Sequence, residues 1–227
     1  MRAKRIGIFY FLVLKKGINQ VPVCQIFCTF VQEIMGEGVL SPLHLSPFNT
    51  SSLYYNMKKT DIARLCQEDV VDLIGRQWML VTAGTPDKLG TMTASWGGVG
   101  FLWNRPVAFV FIRPERHTYG FVEQEARMTL SFFDETYRSV LQFCGTKSGR
   151  EHDKVAETGL TPIELEGGGV AFQEARLVVE GRKLFRAEMT AEQFLDQAVL
   201  KQWYGEHPGG SMHVVYVLEI EGVYQQE

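Results

Sequence analysis

The spacing of apolar residues along the chain alternates several times between a helical period and a strand period. Between residues 62 and 74 they recur every three or four positions, which predicts a helix capped by Thr60 or Asp61 and ended by Gly75. Shorter runs rich in β-branched and aromatic residues predict strands at 78–83, 91–96, 107–112, 128–133 and 213–220. Further short helices are predicted at 118–126, 135–143, 151–157 and 192–203.

A hairpin is predicted near the end of the chain, where the segments 175–179 and 183–189 flank Glu180-Gly181-Arg182, a turn by composition. Gly97-Gly98 is expected to end the strand at 91–96. Gly145 is expected to close the helix at 135–143. The total is six or seven strands, with too few helices for regular βαβ alternation. This predicts a mainly β fold: a small closed or partly closed barrel of Greek-key type with flanking helices.

The first 56 residues differ in character from the rest. Arg2-Ala3-Lys4-Arg5 precedes a nine-residue apolar run, which resembles a secretory signal, but Lys15-Lys16 follows and no small-residue cleavage site does. The run is also too short to span a bilayer. Two interpretations remain: a poorly structured N-terminal extension that touches a membrane, or a misassigned start with the natural one at Met57. The second is favoured, so we expect the folded domain to comprise residues 57–227.

Composition narrows the class of protein. Apolar residues make up 45% of the 227, enough for a substantial core, and the formal net charge of −3 argues against a nucleic-acid surface. Four cysteines have spacings that fit neither a disulfide framework nor a zinc site, and Cys24 and Cys28 form a lone pair without further ligands. We therefore expect reduced thiols, no metal, no membrane partner and a cytoplasmic protein.

Three segments carry the candidate chemistry: 91–98 (TMTASWGG), 113–118 (RPERHT) and 147–150 (KSGR), the last followed by Asp153-Lys154. Each segment also has a purely structural interpretation: the first as a half-buried strand, the second as a charged surface turn and the third as a solvated turn. Together they combine hydroxyls, glycines and guanidinium groups at the ends of apolar elements. Arginines supply forked donors for phosphate oxygens, and free backbone N–H groups supply others. Their order predicts a site for a phosphate-bearing planar ligand, flavin mononucleotide (FMN).

The same segments carry a resemblance to a known family. TMTASWGG at 91–98, VAFVFIRPERHT at 107–118, FCGTKSGREHDK at 143–154 and HPGGSMH at 207–213 resemble the flavin reductase-like family of FMN-binding split barrels. This family includes flavoredoxins and NAD(P)H:flavin oxidoreductases. The resemblance covers the chain from about Met57 to its C-terminus. Gly90 departs from the pattern, because relatives often have an asparagine there, and this puts one side-chain contact to the cofactor in doubt.

The resemblance implies a split β-barrel, a set of cofactor contacts and a homodimer with FMN near the interface. The strand 93–96 would run along the flavin ring and ribityl chain, the second segment would hold the ribityl and phosphate end, and the third would complete the phosphate pocket. His213 would contact the flavin face or the nicotinamide, with an ordinary core or surface histidine as the alternative. The implied cofactor contacts are Thr91, Met92, Thr93, Ala94, Ser95, Trp96, Arg113, Arg116, His117, Thr118, Ser148, Gly149, Arg150 and Lys154.

The implied function is an oxidoreductase that transfers hydride from NADH or NADPH to flavin. No catalytic residue of the protein is expected, because the cofactor carries this chemistry and the protein binds and orients. Two other functions use the same fold. One is a flavoredoxin-type electron carrier that serves a protein or metal partner, and the other is a non-catalytic split-barrel binding protein.

Overall fold

The computed structural model describes residues 57–205 and 211–226. In this part of the chain ten strands form, namely β1 (Met57–Thr60), β2 (Met79–Thr85), β3 (Lys88–Ala94), β4 (Gly97–Leu102), β5 (Arg105–Ile112), β6 (Arg127–Phe132), β7 (Pro162–Glu164), β8 (Val170–Phe172), β9 (Leu177–Glu188) and β10 (Val214–Gln226). The α-helical segments are α1 (Val70–Asp72), α2 (His117–Gln124), α3 (Arg138–Thr146), α4 (Lys154–Thr158) and α5 (Gln197–Tyr204). Short segments of other helix types are Ile62–Gln67, Leu73–Gln77, Glu135–Tyr137 and Ala191–Gln193.

Eight of these strands form one antiparallel sheet in the order β3-β2-β6-β9-β10-β5-β4, with β1 added to β10. The order begins with β3 and ends with β4, although these two strands are consecutive in the chain. The sheet is therefore not closed: it is split between β3 and β4, where residues 95 and 96 connect them. The predicted mainly β fold of split-barrel type with flanking helices is confirmed, with more strands than the six or seven expected.

Two apolar clusters cover opposite faces of the sheet, and β2 takes part in both. Met79 and Val81 lie in the first cluster with residues of β5, β6 and β10. Leu80 points the other way and packs in the second cluster with Phe172 of β8 and Leu141 of α3. Because both faces of β2 are covered, its first five residues are all buried. This explains why the segment reads as a continuous apolar run instead of an alternating one.

The predicted hairpin at 175–189 is wrong, because residues 177–188 form the single long strand β9. The polar residues that resembled a turn have partners within the sheet. The buried Glu180 carboxylate accepts hydrogen bonds from Gly169 N (2.7 Å) and Tyr224 Oη (2.8 Å). Gly181 lets β10 approach, since a Cβ at this position would lie 2.7 Å from Leu218 Cβ. Arg182 forms ion pairs with Glu219 and Glu221 on β10.

Three other boundary predictions are corrected. The helix expected at 62–74 is interrupted, because the Asp69 side chain accepts hydrogen bonds from Val71 N and Asp72 N and starts a new helix, α1. Gly97 begins β4 instead of ending a strand, and its missing Cβ would lie 2.7 Å from Phe109 O. Gly145 lies inside α3, where a Cβ would approach Thr93 Cβ to 3.2 Å. Residues 1–56, including Cys24 and Cys28, and residues 206–210 lie outside the described part.

The Tyr224–Glu180 hydrogen bond gives a stability prediction. Burial and this bond raise the pKa of Tyr224, so the phenol remains a donor. Replacing Tyr224 with Phe leaves a buried carboxylate oxygen without that donor, and we expect the free energy of unfolding to fall by roughly 1–3 kcal/mol. Urea unfolding measures this. The control is Tyr119→Phe, whose hydroxyl accepts from the exposed Arg186. Equal midpoints for the two variants would contradict the prediction.

Candidate functional site

A groove follows the split between β3 and β4. It consists of two adjoining cavities of about 310 Å³ each, which share Met92, Arg113 and Arg116 in their linings. One cavity is the aromatic end, bordered by residues 93–96 and by α5. The other is the cationic end, bordered by the start of α2 and by the loop between α3 and α4. Their combined volume falls within the range of small-molecule sites, roughly 300–1,000 Å³.

The aromatic end is built around Trp96, which is 37% exposed. Trp203 of α5 contacts it edge to face, with ring centroids 5.1 Å apart, and the centroid of the His213 ring lies 5.0 Å from that of Trp96. Phe111 of β5 completes the lining, together with Thr93, Ala94 and Ser95. Flat apolar surfaces of this kind favour a planar aromatic ligand.

His213 is buried, and its Nδ1 is 2.8 Å from Tyr204 Oη. Burial, helped by the nearby Arg113 guanidinium, lowers the pKa of His213 to about 4. The imidazole is therefore neutral near pH 7 and acts as a polar group without charge. The aromatic end consequently presents rings and neutral hydrogen-bonding groups to a ligand.

Guanidinium groups surround the cationic end. Arg116 donates to Gly145 O (2.9 Å), a bond that links the turn after β5 to α3. Arg113 donates to Trp203 O (3.0 Å) and lies 3.8 Å from the Glu115 carboxylate, which also accepts a hydrogen bond from Ser211. Both arginines line the groove, and a guanidinium has five donors in all. Lys147 and Ser148 border the same cavity from the opposite loop.

The start of α2 and the α3–α4 loop are in close contact. A Cβ at Gly149 would lie 2.6 Å from His117 Nδ1, so only glycine permits this approach. Burial lowers the pKa of His117, and the positive charges of Arg150 and Lys154 lower it further. Thr118 is buried directly after it, in the first turn of α2. The turn brings a neutral imidazole and the first N–H groups of the helix to the cationic end.

Lys154 is 7% exposed, and its ammonium group bridges two elements. Nζ donates to Thr91 O of β3 (2.8 Å) and to Cys144 O of α3 (2.7 Å). Burial lowers the pKa of Lys154. Two of its three donors are thus bonded to the protein, and the side chain serves first as a brace that fixes the edge of β3.

A third cavity of about 590 Å³ opens beyond Lys154 and is lined by Thr91, His117, Gly149 and Arg150 among others. The Arg150 guanidinium donates to Glu115 O (2.8 Å), which ties the α3–α4 loop to the turn after β5. The Thr91 hydroxyl pairs with the Thr82 hydroxyl (2.9 Å) in a buried position, so it already has a partner within the protein. Thr91 and Arg150, two of the predicted contact residues, therefore line this third cavity and not the groove itself.

All fourteen predicted contact residues and His213 line one of these three cavities. The structure adds Phe111 and Trp203 to the lining, and it places Tyr204 behind the lining in contact with His213. The Trp-Tyr pair at the end of α5 belongs to no motif or spacing pattern in the sequence that would mark it as part of a site. Gly90 also receives an explanation: a Cβ there would lie 2.5 Å from Phe121 Cδ2, so the Phe121 ring takes the space that a side chain would need.

The neutral state of His213 is a testable property. In the unfolded chain a histidine has a pKa of about 6.5, whereas this ring ionises near 4 when folded. Between these pH values the unfolded chain binds the extra proton, so folding stability should decrease as pH falls through this window. NMR titration of the ring protons measures the midpoint directly. A midpoint near 6.5 would contradict the geometry, and His213→Gln should lose this part of the pH dependence.

No helix in the described part of the chain is long and apolar enough to cross a membrane. No curated protein matches the chain at a significant level. Solved structures share the fold. An FMN-binding domain of a flavin reductase-like enzyme from Shewanella baltica is 14% identical, with a TM-score of 0.53, covering 77% of this chain and 79% of that one.

Two further structures are similar at the same level. Flavoredoxin of Desulfovibrio vulgaris (Miyazaki F) is 21% identical, with a TM-score of 0.51 over 66% of this chain and 69% of that one. An FMN-binding protein from Thermus thermophilus, solved with bound p-hydroxybenzaldehyde, is 21% identical, with a TM-score of 0.50 over 66% and 71%. Identities this low support the fold alone. The flavin reductase like domain, however, matches residues 71–227, more than half of the sequence. The chain therefore belongs to the flavin reductase-like family.

Proposed function

We propose that the protein is an FMN-binding oxidoreductase that oxidises NADH or NADPH and reduces flavin. The observation that carries the proposal is the groove itself, aromatic at one end and cationic at the other, along the open edge of β3. FMN has the matching polarity, with a flat ring system at one end and a phosphate at the other. Family membership supports the same cofactor.

The residues of the cationic end have the chemistry that a phosphate group needs. Arg113 and Arg116 offer guanidinium donors, Ser148 a hydroxyl, and the first turn of α2 backbone N–H groups. Gly149 lets the α3–α4 loop approach the His117 ring, because a Cβ there would lie 2.6 Å from His117 Nδ1. In the proposal these groups bind the phosphate, while Lys154 holds the β3 edge and adds positive charge from behind.

At the aromatic end Thr93, Ser95 and Trp96 border the proposed ring position. The Thr93 hydroxyl donates to Leu141 O (2.5 Å), which fixes this part of β3 against α3. Trp96 and Trp203 border this cavity together, in edge-to-face contact. A bound flavin supplies the hydride acceptor, so the protein has to bind, orient and exclude water. His213 lies where it can contact the flavin ring or the nicotinamide.

An electron carrier of the flavoredoxin type is the nearest rival, because it needs the same groove. The two functions differ in the source of electrons. A reductase oxidises NADH or NADPH itself, whereas a carrier exchanges electrons with a protein or metal partner. A protein that holds FMN and leaves both nicotinamides unoxidised would favour the carrier.

We also propose that the protein is a homodimer with FMN near the subunit interface. Phe101 and Trp103 of the β4–β5 hairpin and Phe185 of β9 are 70%, 53% and 46% exposed, and Trp103 contacts Phe185 with ring centroids 6.1 Å apart. An exposed cluster of large apolar side chains is typical of an interaction surface. Analytical ultracentrifugation of the native protein and of Trp103→Lys distinguishes a dimer from a monomer.

Arg116→Ala tests the function directly. Removing a guanidinium that lines the cationic end should weaken FMN binding by about 10-fold to 100-fold, the range for a charged hydrogen bond. Fluorescence titration with FMN measures the affinity, and NADH or NADPH oxidation by the FMN-loaded protein measures turnover. The matched control is Arg105→Ala, whose partner is Glu219 and which lies outside the groove. Equal affinities for the two variants would contradict the phosphate assignment.

A further inference from the structure

Tyr204 lies behind the aromatic end of the groove, and the proposed chemistry has given it no role so far. It is the last residue of α5. Its hydroxyl is 2.8 Å from His213 Nδ1, and the two rings meet nearly edge to face at 85°, with centroids 5.7 Å apart. Tyr204 is therefore in direct contact with a ring that lines the groove.

The position of Tyr204 is fixed by its other neighbours. The Arg113 guanidinium carbon lies over the Tyr204 ring, 5.2 Å from its centroid, and the same guanidinium donates to Trp203 O. Phe194 also contacts the Tyr204 ring, with ring centroids 5.4 Å apart. These contacts connect α5 to the end of β5 and restrain the phenol beside His213.

The protonation states determine the direction of the hydrogen bond. Burial raises the pKa of Tyr204, although Arg113 opposes this, so the phenol keeps its proton. Burial and the charges of Arg113 and Arg116 keep His213 neutral, against the opposing effect of Glu115. A neutral imidazole nitrogen is a better acceptor than a phenol oxygen, and a phenol is the better donor. Tyr204 therefore donates to Nδ1.

A neutral imidazole whose Nδ1 accepts carries its own proton on Nε2. Among the described residues Nε2 has no hydrogen-bond partner, although the ring lines the groove. We propose that Tyr204 is a positioning residue that fixes His213 in the Nε2–H tautomer and presents this donor to the ligand at the aromatic end of the groove. The role of the donor rests on the proposed function, because carbonyl groups of a flavin ring or of a nicotinamide carboxamide are its natural acceptors. The tautomer itself does not depend on it.

The first experiment measures the tautomer without any ligand. Long-range ¹H–¹⁵N spectra of the ¹⁵N-labelled full chain distinguish a protonated Nε2 from a protonated Nδ1. We expect one tautomer, Nε2–H, in the native protein and a mixture in Tyr204→Phe, which keeps the ring and removes only the hydroxyl. Tyr119→Phe, which removes a hydroxyl from α2, should leave the His213 signals unchanged. An Nδ1–H tautomer in the native protein, or an unaltered tautomer in Tyr204→Phe, would overturn the proposal.

The second experiment asks which ring nitrogen matters for turnover. The glutamine side chain can place an N–H near the position of Nε2, and asparagine places one near Nδ1. In the FMN-loaded protein we expect His213→Gln to oxidise nicotinamide about tenfold faster than His213→Asn, the ratio for one hydrogen bond. Tyr204→Phe should lower the rate by a similar factor. Equal rates for the glutamine and asparagine variants would contradict the proposed donor.

The two experiments separate the inference from the function on which it rests. If the native protein binds no FMN or oxidises neither nicotinamide, the proposed function fails, and the NMR spectra still decide whether Tyr204 sets the tautomer. If the protein turns over nicotinamide but His213 lacks the Nε2–H tautomer, the proposed function is supported and the proposed role of Tyr204 is wrong. Thermal unfolding of each variant checks that the compared proteins are folded.

Discussion

The outer backbone groups of β3 have no neighbouring strand among the described strands, because the sheet is split between β3 and β4. Unpaired backbone groups at a sheet edge need other partners. Lys154 supplies one by donating to Thr91 O, and α3 covers the neighbouring stretch through the Thr93 hydroxyl and Leu141 O. The rest of the open edge of β3 borders the groove. The position of the groove thus follows from the split in the barrel.

The electrostatics of the groove follow from the side chains that line its two ends. At one end Arg113, Arg116 and Lys147 border a cavity in which Glu115 is the opposing charge. At the other end His213 remains neutral, because burial and Arg113 lower its pKa to about 4. A ligand with one anionic end and one aromatic end therefore has a preferred orientation. Arg113 takes part in both ends, since it lines both cavities and also contacts α5 through Trp203 O and the Tyr204 ring.

Much of this arrangement could be predicted from the sequence, and the failures have physical reasons. The three polar segments follow apolar strands and helices, and a small barrel brings the ends of such elements together, so their convergence was foreseeable. The hairpin at 175–189 was not, because Glu180 and Gly181 resemble turn residues unless their distant partners are known. Those partners, Gly169, Tyr224 and Leu218, lie on other strands and loops.

The same limit applies to single side chains of the site. Lys154 was predicted as a phosphate contact, and its burial against two backbone carbonyls depends on how α3, α4 and β3 pack. Tyr204 gave no signal, because its importance comes from a hydrogen bond to His213 and not from its neighbours in the chain. Residue types and order predicted which segments form the groove. Only three-dimensional packing determines which of their atoms are free for a ligand.

A crystal structure of the protein grown with FMN would show whether the groove binds this cofactor in one orientation. We expect the flavin ring beside Trp96 and His213, with the phosphate between Arg116, Ser148 and the first turn of α2. A flavin bound in the opposite orientation, or outside the groove along β3, would contradict it.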